Sequence, residues 1–276
     1  MKWLDWIKGK KNYQKIIAKR PWHKDLCEYY KVTPEEALEL GTRKEGRRPS
    51  LPGSPTTHPV SGKTLDEIWE QADRSTPEGI HSFYKEMGAW AAFRQVVWHK
   101  SRNFEYIKDT VKQGDRICEY GGGIGPISFW LLKTLPDYGL GFTVVDVASE
   151  HLTFGEWRLK QFAAELGLET EIEKKEVGVG QLPLDSIFNM IIIFEVYEHL
   201  HNPLEVTKHL DKHLASGGCL WENYIKHKEA DGCDLEIAQT ERDAVFDFIR
   251  SKYDLVFGPE PESDTGENKN RCWRKR

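Results

Sequence analysis

Two rhythms divide the chain. From Thr64 to about Val111, Ile80, Phe83, Tyr84, Met87, Trp90, Phe93, Val97 and Trp98 follow one another at helical spacings. That pattern predicts two or three amphipathic helices. Ser75-Thr76-Pro77-Glu78 has the form of a capping signal that opens one of them. After Gly114 short apolar runs alternate with helical stretches. They predict strands near 116–120, 142–146, 171–176, 188–194, 218–224, 253–257 and 270–274, and helices near 126–135, 149–166, 203–214 and 239–252. Strands alternating with helices imply a mostly parallel sheet covered on both faces. Only the last strand, reached by the linker 258–269, is expected to run antiparallel.

The N-terminal part reads differently. Lys2, Lys8, Lys10, Lys11, Lys15, Lys19 and Arg20 face a single acid, Asp5, within the first twenty residues, with Trp3, Leu4, Trp6, Ile7, Ile16 and Ile17 interleaved. A basic amphipathic helix of this kind suits an anionic membrane or RNA, although Gly9 interrupts it. The plainer reading is a terminal helix docked on its own domain. Thr33 and Pro34 supply an N-cap and a first-turn proline for a short helix over 34–40. Residues 41–63, rich in Gly, Pro, Ser, Thr, Arg and Lys, show no apolar period and predict a linker. Three segments result: a basic helical segment with its linker over 1–63, a helical lid over 64–113, and an α/β domain over 114–276. No internal repeat is apparent.

Composition narrows the class. With 39% hydrophobic and 12% aromatic residues in 276, the chain can build a packed interior. A net charge of −5 gives no global field toward nucleic acid, so RNA contact would rest on the local basic patches. Cys27, Cys118, Cys219, Cys233 and Cys272 are odd in number and scattered, which argues against a disulfide framework or a zinc knuckle. No apolar run approaches the roughly 18 residues needed to cross a bilayer, and no signal-like stretch opens the sequence. A cytoplasmic location is the expectation.

The candidate chemistry begins at Arg116-Ile-Cys-Glu-Tyr120, which runs into Gly121-Gly122-Gly123-Ile124-Gly125 and then an apolar helix. Glycines let the backbone turn sharply and let a ligand approach the main chain. In an open α/β sheet this turn lies at the carboxyl ends of the strands, where ligands bind. The dinucleotide fingerprint G-x-G-x-x-G requires glycine where this chain has Pro126, which weakens an NAD reading. The second strand, Phe142-Thr-Val-Val-Asp146, ends in a carboxylate 21 positions after Gly125. Such an acid can accept both hydroxyls of a ribose. Plainer roles are a ligand-free tight turn for the glycines and a helix N-cap for Asp146.

The pattern E-x-G-x-G-x-G from Glu119 to Gly125 resembles motif I of class I S-adenosylmethionine-dependent methyltransferases. A second signature agrees. The apolar run Ser186 to Ile193 has the composition of a strand buried on both faces. It leads into Phe194-Glu-Val-Tyr-Glu-His-Leu200, then Asn202-Pro203, and a helix ending at Ser216-Gly217-Gly218. This resembles the methyltransferase families related to quinone-biosynthesis enzymes, over about residues 115–257. The resemblance implies a Rossmann-like, seven-stranded, mostly parallel sheet with helices on both faces, plus an N-terminal helical extension. It implies S-adenosylmethionine as cofactor, with Glu119 near the methionine amino group and Gly121, Gly123 and Gly125 forming the loop. Asp146, followed by Val147, would take the ribose, and Phe194 and Glu195 would sit beside the sulfonium and the acceptor. One departure concerns adenine. The positions where the family carries an acid and a small apolar residue are Gly178 and Val179, which leaves adenine to backbone groups or to Glu176.

Glu195, Glu198 and His199 fall at i, i+3 and i+4, so a helical turn would bring them onto one face. His199 is the candidate general base or acceptor hydrogen-bond partner, since imidazole titrates near neutral pH. Some relatives use an E-x-x-E-H segment to hold a divalent metal, and His227 would then complete a set with Glu195, Glu198 and His199. The same segment also occurs without metal, and a helix cap is the plainest role. The leading expectation is a small-molecule O- or N-methyltransferase. The competing ones are an RNA or protein methyltransferase, drawn from the basic N-terminus with Arg43, Lys44, Arg47 and Arg48, and a non-catalytic S-adenosylmethionine-binding subunit. The aromatic lid helices are expected to decide the acceptor.

Overall fold

The structure, a computed structural model, describes residues 13–42, 65–224, 234–261 and 270–276. Seven strands form one sheet: β1 (Arg116–Tyr120), β2 (Gly141–Val147), β3 (Ile172–Val177), β4 (Phe188–Ile193), β5 (Leu214–Glu222), β6 (Tyr253–Phe257) and β7 (Arg271–Lys275). Their order is β3-β2-β1-β4-β5-β7-β6. β7 pairs antiparallel with both β5 and β6, and every other pairing is parallel. This is the Rossmann-like sheet expected from the alternating pattern.

Side chains of period two divide each strand between two faces. Ile117, Val144, Met190, Ile192 and Trp221 pack into one core with Leu131, Leu159 and Phe162. Those helical residues lie on α6 (Pro126–Thr134) and α7 (Glu150–Leu166). Cys118, Val145, Ile191, Ile193 and Leu220 point into the other core, with Val206, Leu210, Val245 and Ile249 from α8 (Pro203–His213) and α9 (Glu236–Lys252). β5 starts at Leu214, four residues before the sequence pattern suggested, because the first residues after α8 already extend along β4 past a register shift.

The N-terminal helices pack against α7 and the segment 89–96. α1 (Lys24–Tyr30) and α2 (Pro34–Thr42) place Leu26, Tyr30, Ala37 and Leu40 against Phe93, Val96 and Phe154. α2 carries a reciprocal cap, with Glu36 N–H donating to Thr33 Oγ1 at 3.2 Å and Thr33 N–H donating to a Glu36 carboxylate oxygen at 2.7 Å. Residues 13–19 are helical, and Tyr13, Ile16 and Ile17 pack on the domain core. Arg20 is held by Asp25 and Glu165. From residue 13 on, the amphipathic face therefore docks on its own protein; residues 1–12 and 43–64 lie outside the described residues.

α3 (Leu65–Gln71), α4 (Pro77–His99) and α5 (Glu105–Lys108) make up the lid segment. Thr76 Oγ1 caps α4 by accepting from Gly79 N–H at 3.2 Å. Gly88 breaks α4 into two halves with φ 49° and ψ −136°, a conformation that costs a side-chain-bearing residue dearly. The first half reaches β3, where His81 Nε2 donates to Val177 O at 3.0 Å. The second half lies across the glycine loop. Among the described residues no helix is long and apolar enough to cross a membrane.

Candidate active site

The turn after β1 is built by its glycines and fastened by an acid. Gly121, Gly123 and Gly125 all have positive φ, at 69°, 54° and 65°. Asp146, at the end of β2, accepts from Gly123 N–H at 2.6 Å and from Val147 N–H at 2.7 Å. The carboxylate thus locks the loop to the neighbouring strand. It does not cap α7, whose N-cap is Ser149.

Glu119 is spent on the next helix. Ile127 N–H donates to one carboxylate oxygen at 3.0 Å, and Ser128 donates to the other from its N–H at 2.8 Å and its hydroxyl at 2.6 Å. An anion there satisfies amides that α6 leaves open and meets the positive end of its dipole. Burial nevertheless pushes this carboxyl up to about 7, against those hydrogen bonds.

A cavity of about 520 Å³ opens beside the loop, lined by Glu119, Gly121, Gly122, Phe194, Glu195 and Asn223, among others. Lid residues Gln95, Trp98, His99 and Arg102 and the α5 residue Tyr106 close its outer wall. Gln95 stands directly over the loop: Ile124 N–H donates to its Oε1 at 3.1 Å. A Cβ on Gly123 would lie 2.5 Å from the same oxygen, and one on Gly121 would lie 2.2 Å from Val196 Cγ2. A side chain at either position would crowd the lid or the strand tip, in a left-handed backbone that already favours glycine.

Glu195 follows β4 with φ 56°, a left-handed backbone that a non-glycine residue holds only against strain of about 1–3 kcal/mol. Asn223, at the end of β5, holds it there: Glu195 N–H donates to Asn223 Oδ1 at 2.7 Å, and Asn223 Nδ2 donates back to Glu195 Oε1. This left-handed residue corrects the expectation of a shared helical face. The turn Tyr197–His199 is a single 3-10 turn, so Glu195 is exposed on the cavity wall while Glu198 is buried at 4% exposure.

Among the described residues Glu198 Oε2 has no hydrogen-bond partner. Burial pushes its carboxyl up to about 8, with Glu195, Asp234 and Glu222 adding to the rise. His199 lies against the rings of Trp69 and Tyr84, at centroid distances of 6.1 and 6.0 Å, and its Nε2 is 3.8 Å from Glu198 Oε1. Neither residue lines the cavity. No group of three or more His, Cys, Asp or Glu suited to a metal is present among the described residues; His227 lies outside them.

The structure therefore brings Glu119, Gly121, Phe194 and Glu195 to one cavity and leaves the other expected residues around it. Asp146, Gly123 and Gly125 underlie the loop, and Val147 follows at the end of β2. Gly178 forms a tight turn in which its N–H donates to Gln181 Oε1 at 3.1 Å, while Val179 is 39% exposed. The sequence reading missed Gln95 and Asn223. Asn223 had one signal, its place at the carboxyl end of a central strand.

Residues 118–220 match a family model described as a methyltransferase domain. The match runs from β1 through the glycine loop into β5. Among solved structures, the pyocyanin biosynthetic protein PhzM is similar to this chain with a TM-score of 0.51 and 11% identity, covering 79% of this chain and 63% of that one. A methyltransferase from Pyrococcus furiosus has a TM-score of 0.42 and 14% identity, over 65% of this chain and 84% of its own. A SAM-dependent methyltransferase from Aquifex aeolicus has a TM-score of 0.44 and 16% identity, over 62% and 87%. No curated protein matches. The PhzM likeness speaks to the fold of the methyltransferase domain; the site has to be argued from its own residues.

Proposed function

We propose that this protein transfers a methyl group from S-adenosylmethionine to an oxygen or nitrogen of a small-molecule acceptor. The observation that carries the reading is the glycine loop tied by Asp146 at the end of β2, directly beside a cavity that ends at Phe194 and Glu195. The residues fit the methyl donor in kind. The loop favours glycine at Gly121 and Gly123 through their positive φ, and each carboxylate oxygen of Asp146 keeps a lone pair for a ribose hydroxyl. S-adenosylmethionine, when bound, supplies an electrophilic methyl group for in-line displacement.

The chain's own contribution is then placement. Aligning donor and acceptor at near-attack distance lowers the barrier without any acid or base. Phe194 and the lid residues Trp98 and Tyr106 narrow the cavity and exclude water. Glu195, fixed by Asn223, is the group able to hydrogen-bond an acceptor hydroxyl or amine at the cavity wall. Glu198 and His199 set the turn that follows it, behind the cavity wall. A concave site of this size suits a small acceptor better than a polymer.

The test is a cell extract incubated with the protein and labelled methyl donor. Label in the small-molecule fraction is expected. Label confined to RNA or protein would replace this acceptor class, and no transfer to any fraction would favour a cofactor-binding subunit.

A further inference from the structure

Next to the loop cavity lies a larger one of about 730 Å³, between α6, the segment 99–105 and the N-terminal segment around Trp22. The two share His99, Arg102, Asn103, Phe104 and Pro126 on their walls, so they adjoin there. The outer one is built from aromatic faces and cations. Trp22, Phe104, Phe129 and Trp130 line it. Lys100 Nζ stands 4.9 Å from the centre of the Trp22 ring, and the Arg102 guanidinium stands 4.4 Å from that of Trp98.

The charges on this wall do not cancel. Arg20 and Arg158 are both held by Asp25, and Arg20 also by Glu165. Glu105, the acid on the wall, is engaged by Lys108 at 2.7 Å. Lys100, Arg102 and Lys133 make no ion pair with a carboxylate among the described residues. Between the two chambers His99 offers a buried Nδ1 that has no hydrogen-bond partner among the described residues, and buried polar atoms are rarely left so.

We infer that the outer chamber receives the anionic end of the methyl acceptor, an aromatic or apolar compound carrying a phosphate or carboxylate, while its reacting end enters the chamber beside Glu195. Lys100, Arg102 and Lys133 supply charge, the aromatic walls supply contact area, and His99 hydrogen-bonds the middle of the molecule. The inference rests on the methyl-transfer reading, since it names that reaction's acceptor.

The experiment separates the two. Titration calorimetry with S-adenosylhomocysteine comes first; no binding by the folded protein overturns the methyl-transfer reading and this inference with it. The loaded protein is then titrated with phenyl phosphate, benzoate and benzyl alcohol. At least one anion should bind about tenfold tighter than the alcohol, as expected for hydrogen bonds to a charged group. A Lys100→Met, Lys133→Met variant, and the charge-reversed Lys100→Glu, Lys133→Glu variant, should lose about tenfold in anion affinity while holding S-adenosylhomocysteine within twofold. Both lysines are exposed, so the methionine variant tests the charge without disturbing the core. Equal binding of alcohol and anions overturns the inference, as does unchanged anion affinity in both variants. An equal loss of S-adenosylhomocysteine affinity also overturns it, because the cations would then serve the cofactor's own carboxylate.

Discussion

Asp146 Oδ2 and the Gly123 N–H meet at 2.6 Å, across the gap between the end of β2 and the loop that follows β1. Replacing Asp146 with Ala removes that tie together with the carboxylate offered to the ribose. Affinity for S-adenosylmethionine should fall by roughly 1.5–3 kcal/mol, the range for hydrogen bonds to a charged group. Calorimetry on the variant checks this, and unchanged affinity would remove Asp146 from the nucleoside site.

His199 sits behind the cavity, between Glu198 and the rings of Trp69 and Tyr84. His199→Ala should therefore lower kcat only through the turn that follows Glu195, by less than the roughly 10²-fold or more of a lost acid–base group, and leave the cofactor Kd nearly unchanged. Steady-state kinetics paired with a binding titration make the split. A larger effect on Kd than on kcat would make the residue part of the cofactor site.

Glu198 gives a pH signature. Its carboxyl rises from 4.5 to about 8 on folding, chiefly through burial. The folded state then holds a proton that the unfolded chain releases. The contribution of Glu198 to stability is full below about pH 4.5 and is lost as the pH rises to about 8. Glu198→Gln removes this titration. Between pH 5 and 8 the wild type should lose on the order of 3–5 kcal/mol more than the variant, from the size of the shift. Urea unfolding at the two pH values measures it, and parallel losses would refute the buried neutral acid.

Asp25 is fully buried and joins the N-terminal helices to α7, accepting from Arg20 at 2.8 and 2.5 Å and from Arg158 at 3.0 Å. Burial alone would raise its carboxyl; Arg20 and Arg158 together hold it below its ordinary value. Asp25→Asn leaves the buried Arg158 without its anion and Arg20 with Glu165 alone, and should destabilise the protein by about 3–5 kcal/mol. Thermal unfolding with the domain's tryptophan fluorescence reports it; a melting temperature within a degree of wild type would contradict the account.

The sheet was legible because burial on two faces leaves a periodic trace. Ile117 to Tyr120 and Met190 to Ile193 alternate between the two cores, and the helices between them carry their own period. The glycine loop was legible because positive φ at Gly121, Gly123 and Gly125 restricts the residue type. What the lid does there was not. Gln95 is one of several polar residues on α4, and the break at Gly88 and the docking of His81 on Val177 go with its place over Gly123. Glu195 was misplaced for a related reason: spacing of three and four presumes helical backbone, whereas Asn223, 28 positions later, fixes a left-handed residue. Glu119 was visible as an acid beside the loop, but its partners Ile127 and Ser128 decide that it serves the helix.

The most direct test of the central claim is calorimetric titration of the wild-type chain with S-adenosylmethionine. The account predicts one molecule bound per chain, with affinity lost in step with the Asp146→Ala change. A folded protein that takes up no S-adenosylmethionine would contradict it.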